Sequence, residues 1–155
     1  MSNIVQTSST DGAIRDSIWE SVMPRMFRLM KKDDDDKPTI GVTATTLGVR
    51  LTDIDLDAQD NVVCNDKGMS VRPSWRDAPL SMIPKRLGTG GRGSDKCYCF
   101  RRGEGDFVQA PCGAGLELLP DGPTHGVVRP VQLTPLATFQ SNLQATRPER
   151  EIDEN

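Results

Sequence analysis

The chain holds a single histidine, His125, among 155 residues, and no "GxSxG" segment that would mark a serine nucleophile on a sharp strand-to-helix turn. A histidine serves in a Ser/His/Asp triad only with both partners in place, so the sequence by itself gives His125 no such role. The four cysteines, Cys64, Cys97, Cys99 and Cys112, form neither a "CxxC" pair nor a zinc spacing. Free thiols in a reducing compartment are the expectation, and no metal site. No run approaches the roughly 18 apolar residues of a membrane span, and the N-terminus lacks the charged-then-apolar order of a signal peptide. A product of the cytoplasm with no membrane partner is expected. Hydrophobic residues reach only 35%, while Gly numbers 14 and Pro 11, a composition that disfavours a helix bundle and suits a compact core carrying much loop. The net charge of −3 argues against general nucleic-acid binding, which draws its affinity from clustered Lys and Arg. There is no internal repeat.

What is present fits one domain. Residues 1–11 are Ser/Thr-rich and read as a flexible N-terminus, 12–147 as a single domain, and 148–155 as a charged tail. Ile14, Ile18, Val22 and Met26 recur every four residues, and Trp19, Met23, Phe27 and Met30 widen the stripe, as an amphipathic helix requires. Pro24 would kink or restart that helix, and the acidic turn "DDDDK" at 33–37 would end it. Strand composition follows in "TIGVTATTLGVRL", "NVVCN", "CYCFR", "GLELL" and "HGVVRPVQL". A closing helix begins with Thr134 as cap and Pro135 in the first helical position, with Leu136, Phe139 and Leu143 on its inner face. The fold class is α+β: an N-terminal helix, about five or six short strands in a mixed or antiparallel sheet, and a C-terminal helix.

Several stretches carry chemistry, each beside a plainer reading. "KRLGTGGRGSDKCYCFRR", residues 85–102, is locally basic and suits either a phosphate-bearing small molecule or solvent. "GTGGRG" matches GxGxxG literally, but a strand follows it where a dinucleotide fingerprint needs a helix. "DIDLDAQDN" lacks the central Gly and terminal Glu of a calcium loop and reads as an acidic turn. Arg50, ending "TTLGVR", is either a strand-borne grip for phosphate or carboxylate or an exposed strand-end charge. His125 is either bonded within a turn or in contact with a ligand.

Taken together, "TTLGVR", "GMSV" and "PTHGVVRPVQLTPLATFQSNLQATR" resemble the cytoplasmic effector toxins exported by type VI secretion, a small family similar in fold to NAD-dependent ADP-ribosyltransferases. The resemblance spans residues 45–147 with long gaps. It implies an ADP-ribosyltransferase-like fold and a toxin using NAD as substrate, delivered to the cytoplasm of another cell without a signal peptide and countered by a cognate immunity protein. Carried over by motif, Arg50, Gly68 and Met69 bind the cofactor, while Ser70 and His125 are catalytic. Met69 stands where the family has Thr, and Gly126 where it has an aromatic residue. No "ExE" pair supplies the carboxylate that cleavage of a glycosidic bond calls for. Glu104 and Glu117 are the glutamates of the central segment. A non-catalytic protein- or nucleotide-binding module of the same fold is the alternative.

Overall fold

The computed structural model describes residues 23–155, and these begin partway along the segment expected to form the N-terminal helix. Positions 12–22 of that helix, like the N-terminal segment 1–11, lie outside the described residues. Its last part is strand β1, Met26–Lys31. Met26, Phe27, Leu29 and Met30 are all buried. A strand covered on both faces reads as a nearly continuous apolar run, which over so short a length also satisfies a four-residue recurrence.

Eight more strands and one α-helix follow: β2 (Asn61–Val62), β3 (Met69–Val71), β4 (Cys97–Arg102), β5 (Ala110–Gly113), β6 (Leu116–Pro120), β7 (Gly126–Pro130), β8 (Thr134–Pro135), α1 (Leu136–Gln144) and β9 (Glu151–Ile152). One sheet runs β1-β4-β9, a second runs β3-β7-β6-β5, and β2 and β8 form a separate ribbon. Every strand pairing is antiparallel. The described residues are therefore α+β, with a single C-terminal α-helix. None of their helices is long and apolar enough to cross a membrane.

The two sheets meet at one bridge. Phe27 donates its N–H to the carbonyl of Arg72 at 2.7 Å and accepts from the N–H of Arg72 at 3.0 Å. Beyond that pair β1 turns to the irregular loop that follows it in the chain, where Lys31 N–H donates to Thr45 O at 2.8 Å. β1 and β3 therefore separate, and a cleft opens between them. Alternation along β1 sends Met26 and Met30 into the main core with Met69, Val71, Leu118, Phe139 and Leu143, and sends Phe27 and Leu29 into a smaller cluster with Trp75, Ile83 and Cys99.

Three further expectations change. "TIGVTATTLGVRL" forms no strand; its backbone turns through an irregular loop, and "NVVCN" contributes only the two residues of β2. Thr134 belongs to β8 and its hydroxyl donates to Gln132 O, so it does not cap α1, which starts at Leu136 after Pro135. The charged segment 148–155 does not stand outside the domain: β9 pairs with β4, and Arg150 is 1% exposed. Glycines of "GTGGRG" serve packing, since a Cβ on Gly91 or Gly93 would meet the carbonyl of Ile83 at 2.3 Å or of Met82 at 2.4 Å.

Candidate functional site

The β6–β7 hairpin and β3 build the centre of the site. Ser70 pairs across the ladder with Val127, and Val71 with Gly126, so His125 lies one step beyond β7 and two residues from Val127 on the face that Ser70 shares. The five-residue turn from Asp121 to His125 is closed by Asp121 N–H donating to His125 O at 3.0 Å. That closure brings the Asp121 carboxylate to His125 Nδ1, 2.8 Å from both of its oxygens, while Nε2 lies 2.6 Å from Ser70 Oγ. A carboxylate only accepts, so Nδ1 carries the imidazole proton and Nε2 is left to accept from the Ser70 hydroxyl. Ser70, His125 and Asp121 thus stand in the order of a Ser/His/Asp relay, contrary to the expectation that His125 lacks its partners. The serine lies on a strand instead of an elbow, which is why no "GxSxG" marks it.

Ser70 borders a cavity of about 470 Å3 in the cleft between β1 and β3, within the usual range for small-molecule sites. Its lining combines three guanidinium groups, Arg28, Arg50 and Arg72, with the apolar side chains of Phe27, Leu29, Val71, Trp75 and Met82. Arg50 does not end a strand. It precedes a short 3-10 turn, Leu51–Asp53, and its guanidinium meets the Asp53 carboxylate at 2.8 and 3.2 Å, which raises the Arg50 pKa. Its backbone is set from α1: the Gln140 amide accepts from Val49 N–H at 3.0 Å and donates to Val49 O at 2.8 Å.

Arg28 works from inside the wall. Its guanidinium donates to the carbonyls of Thr46, Ser70, Thr43 and Gly48 at 3.1, 2.9, 3.1 and 3.3 Å. Burial lowers its pKa, and four carbonyl dipoles offset that penalty by holding the charged form. Arg72 is also lowered, by partial burial, against the opposing fields of Asp77 and Asp121.

Arg50 and Ser70 therefore share one cavity, and His125 is joined to it through Ser70. Gly68 and Met69 stand apart from it. A Cβ on Gly68 would meet Val128 O at 2.2 Å, so glycine is needed there for strand packing, and Met69 is buried in the main core. Glu104 is exposed beside Arg101, and Glu117 pairs with Arg129 at 2.8 Å, so neither lines the cavity. The carboxylate that does is Asp53, from the segment read as an acidic turn. Asp121, Arg28, Arg72 and Gln140 also went unnoticed. Asp121 alone left a signal, its spacing of four residues from the single histidine across a Gly/Pro turn.

Among the described residues, no group of three or more His, Cys, Asp and Glu side chains is arranged to hold a metal ion. Comparison of the chain with protein-family models, with curated proteins and with solved structures finds no match.

Proposed function

We propose that the cleft is a nucleotide site and that the protein is a toxin of ADP-ribosyltransferase-like type, acting on NAD in the cytoplasm of a target cell to which a specialised secretion system delivers it. One observation carries the reading. Arg50 and Ser70 line the same cavity, and His125 Nε2 is 2.6 Å from Ser70 Oγ, although these residues come from three separate segments of the chain.

The chemistry of the walls supports a nucleotide. Arg50 and Arg72 offer guanidinium forks to a pyrophosphate, while Phe27 and Trp75 give apolar surface to a base or nicotinamide ring. With its proton committed to His125, the Ser70 oxygen keeps lone pairs free to accept from a ribose hydroxyl. Cleaving the bond between nicotinamide and ribose builds positive charge on the sugar, and Asp53 is the carboxylate that stabilises it. A phosphate taking hold of Arg50 competes with Asp53 for the same guanidinium and leaves the carboxylate available for that work.

The test is tightly controlled expression in a bacterial host, wild type against Arg50→Ala and Ser70→Ala, with cellular NAD assayed in the same cultures. Arrest with falling NAD in the wild type, absent in both variants, is the expected result. Normal growth at constant NAD overturns the proposal and favours the non-catalytic module. Arrest by a cognate toxin also calls for an immunity protein, whose co-expression restores growth.

A further inference from the structure

The Ser70–His125–Asp121 chain does more than point a hydroxyl. We propose that Ser70 Oγ is an activated nucleophile that accepts an acyl group from a carboxylic ester, with His125 as its base and Asp121 as the residue that positions the imidazole. Three observations lead there. The hydroxyl lies 2.6 Å from Nε2, within reach of direct proton transfer. Both oxygens of Asp121 lie 2.8 Å from Nδ1, which fixes the tautomer that leaves Nε2 basic. Ser70 is half-buried and opens on a cavity whose Phe27, Leu29, Val71 and Met82 side chains suit a small apolar acyl group.

In the acylation step Oγ bonds to the ester carbonyl carbon and its proton passes to Nε2. The carbon–oxygen bond to the leaving alkoxide then breaks, and the alkoxide takes the proton from His125. Water, deprotonated by the same imidazole, releases the acid and restores the serine, so ester and water give acid and alcohol. β3 is an edge strand paired only with β7, and Ser70 sits within it, not at a turn whose successive N–H groups could converge on an oxyanion. Positive charge for the developing oxyanion comes instead from Arg72, which lines the cavity and follows Ser70 by two residues. Side-chain donors that must reorganise are weaker than a preorganised pair of N–H groups and slow both steps; with an activated ester, whose good leaving group speeds acylation alone, deacylation is the slower step and the acyl-enzyme is expected to accumulate.

This does not depend on NAD, and the experiment omits it. The intact protein is incubated with a fluorophosphonate probe, and separately with p-nitrophenyl acetate, and the modified peptide is identified by mass spectrometry. The wild type is expected to carry one adduct at Ser70, absent in Ser70→Ala, and to release a burst of nitrophenol near one equivalent. Asp121→Asn, an exposed change on the hairpin turn, is expected to keep the melting temperature and slow labelling at least tenfold, with Asp121→Glu recovering part of the rate. His125→Ala is expected to slow it further. No adduct at Ser70, or equal labelling rates in wild type and Asp121→Asn, overturns the proposal. NAD consumption by the same preparations is a separate reading, so either proposal can fall while the other stands.

Discussion

Arg28 Nη1 donates to the backbone carbonyl of Ser70 at 2.9 Å, so the strand that carries the hydroxyl is anchored by a guanidinium from the strand across the cleft. The same group ties down the carbonyls of Thr43, Thr46 and Gly48. Arg28→Met is expected to lower unfolding free energy by about 3 kcal/mol or more, because several buried acceptors lose their donor. Arg28→Lys is expected to recover only part of this, since an ammonium lacks the planar fork. Urea denaturation of the three proteins checks both statements.

Gln140 and Arg50 separate positioning from contact. Gln140→Ala removes both hydrogen bonds to Val49 and frees the backbone that presents Arg50. If the cleft takes a nucleotide, this change is expected to raise the KM for NAD, whereas Arg50→Ala lowers kcat/KM without moving the melting temperature, its ion pair with Asp53 being exposed to solvent. Steady-state kinetics with thermal melts distinguish the two.

Arg150 is fully buried, and burial drives its pKa down, helped by repulsion from Arg102. Its Nε donates to Thr146 Oγ1 at 3.1 Å, while Nη1 has no hydrogen-bond partner among the described residues. A buried charge so poorly paired adds little net stability. Arg150→Met is expected to leave the unfolding free energy and the denaturation midpoint equal or higher, and Arg150→Ala to lower the unfolding free energy by about 2 kcal/mol through the cavity it opens. A lower midpoint for the methionine variant contradicts this.

The cysteines set a pH limit. Burial raises the pKa of Cys97, of Cys112 to about 11 and of Cys99 to about 12, against an ordinary 9.0. Unfolding frees these thiols to ionise, so the stability they contribute is complete below pH 9 and is lost as pH rises toward the folded values. Urea midpoints are expected to fall between pH 9 and pH 11 by less in Cys99→Ala than in the wild type. At pH 8, a thiol reagent is expected to modify exposed Cys64 quickly and the other three only after denaturation.

Sequence patterning was informative where segments are local and one-sided. β4, β6 and β7 are short strand-type runs bounded by turn residues, α1 carries a one-sided stripe at helical spacing, and all four were legible. β1 was not, because a strand buried on both faces lacks alternation. β9 was not, because Glu151 and Ile152 gain their pairing from β4, far away in the chain. For the site, Ser70 and His125 came from motif likeness, whereas Asp53 and Asp121 are short acidic residues in turns, where such residues are common for reasons of local backbone geometry. Their importance follows from what they face, which is a property of the folded chain. Arg50 was legible as a residue and misread as a strand end.

The β1-β4-β9 sheet takes its strands from residues 26–31, 97–102 and 151–152, which has a consequence for the order of assembly. During synthesis β1 leaves the ribosome roughly 70 residues ahead of β4, a wait of several seconds at ordinary elongation rates of about 5–20 residues per second. Throughout it, β1 offers both apolar faces and an open edge. The hairpins β5–β6 and β6–β7 need no such wait, being contiguous, so the part of the molecule that carries His125 and Asp121 closes on itself as soon as it emerges. The wall that carries Arg28 is completed last, once the final strand emerges. A nascent chain stalled before residue 151 would hold the histidine and its carboxylate in register while the opposite side of the cleft was still unfinished.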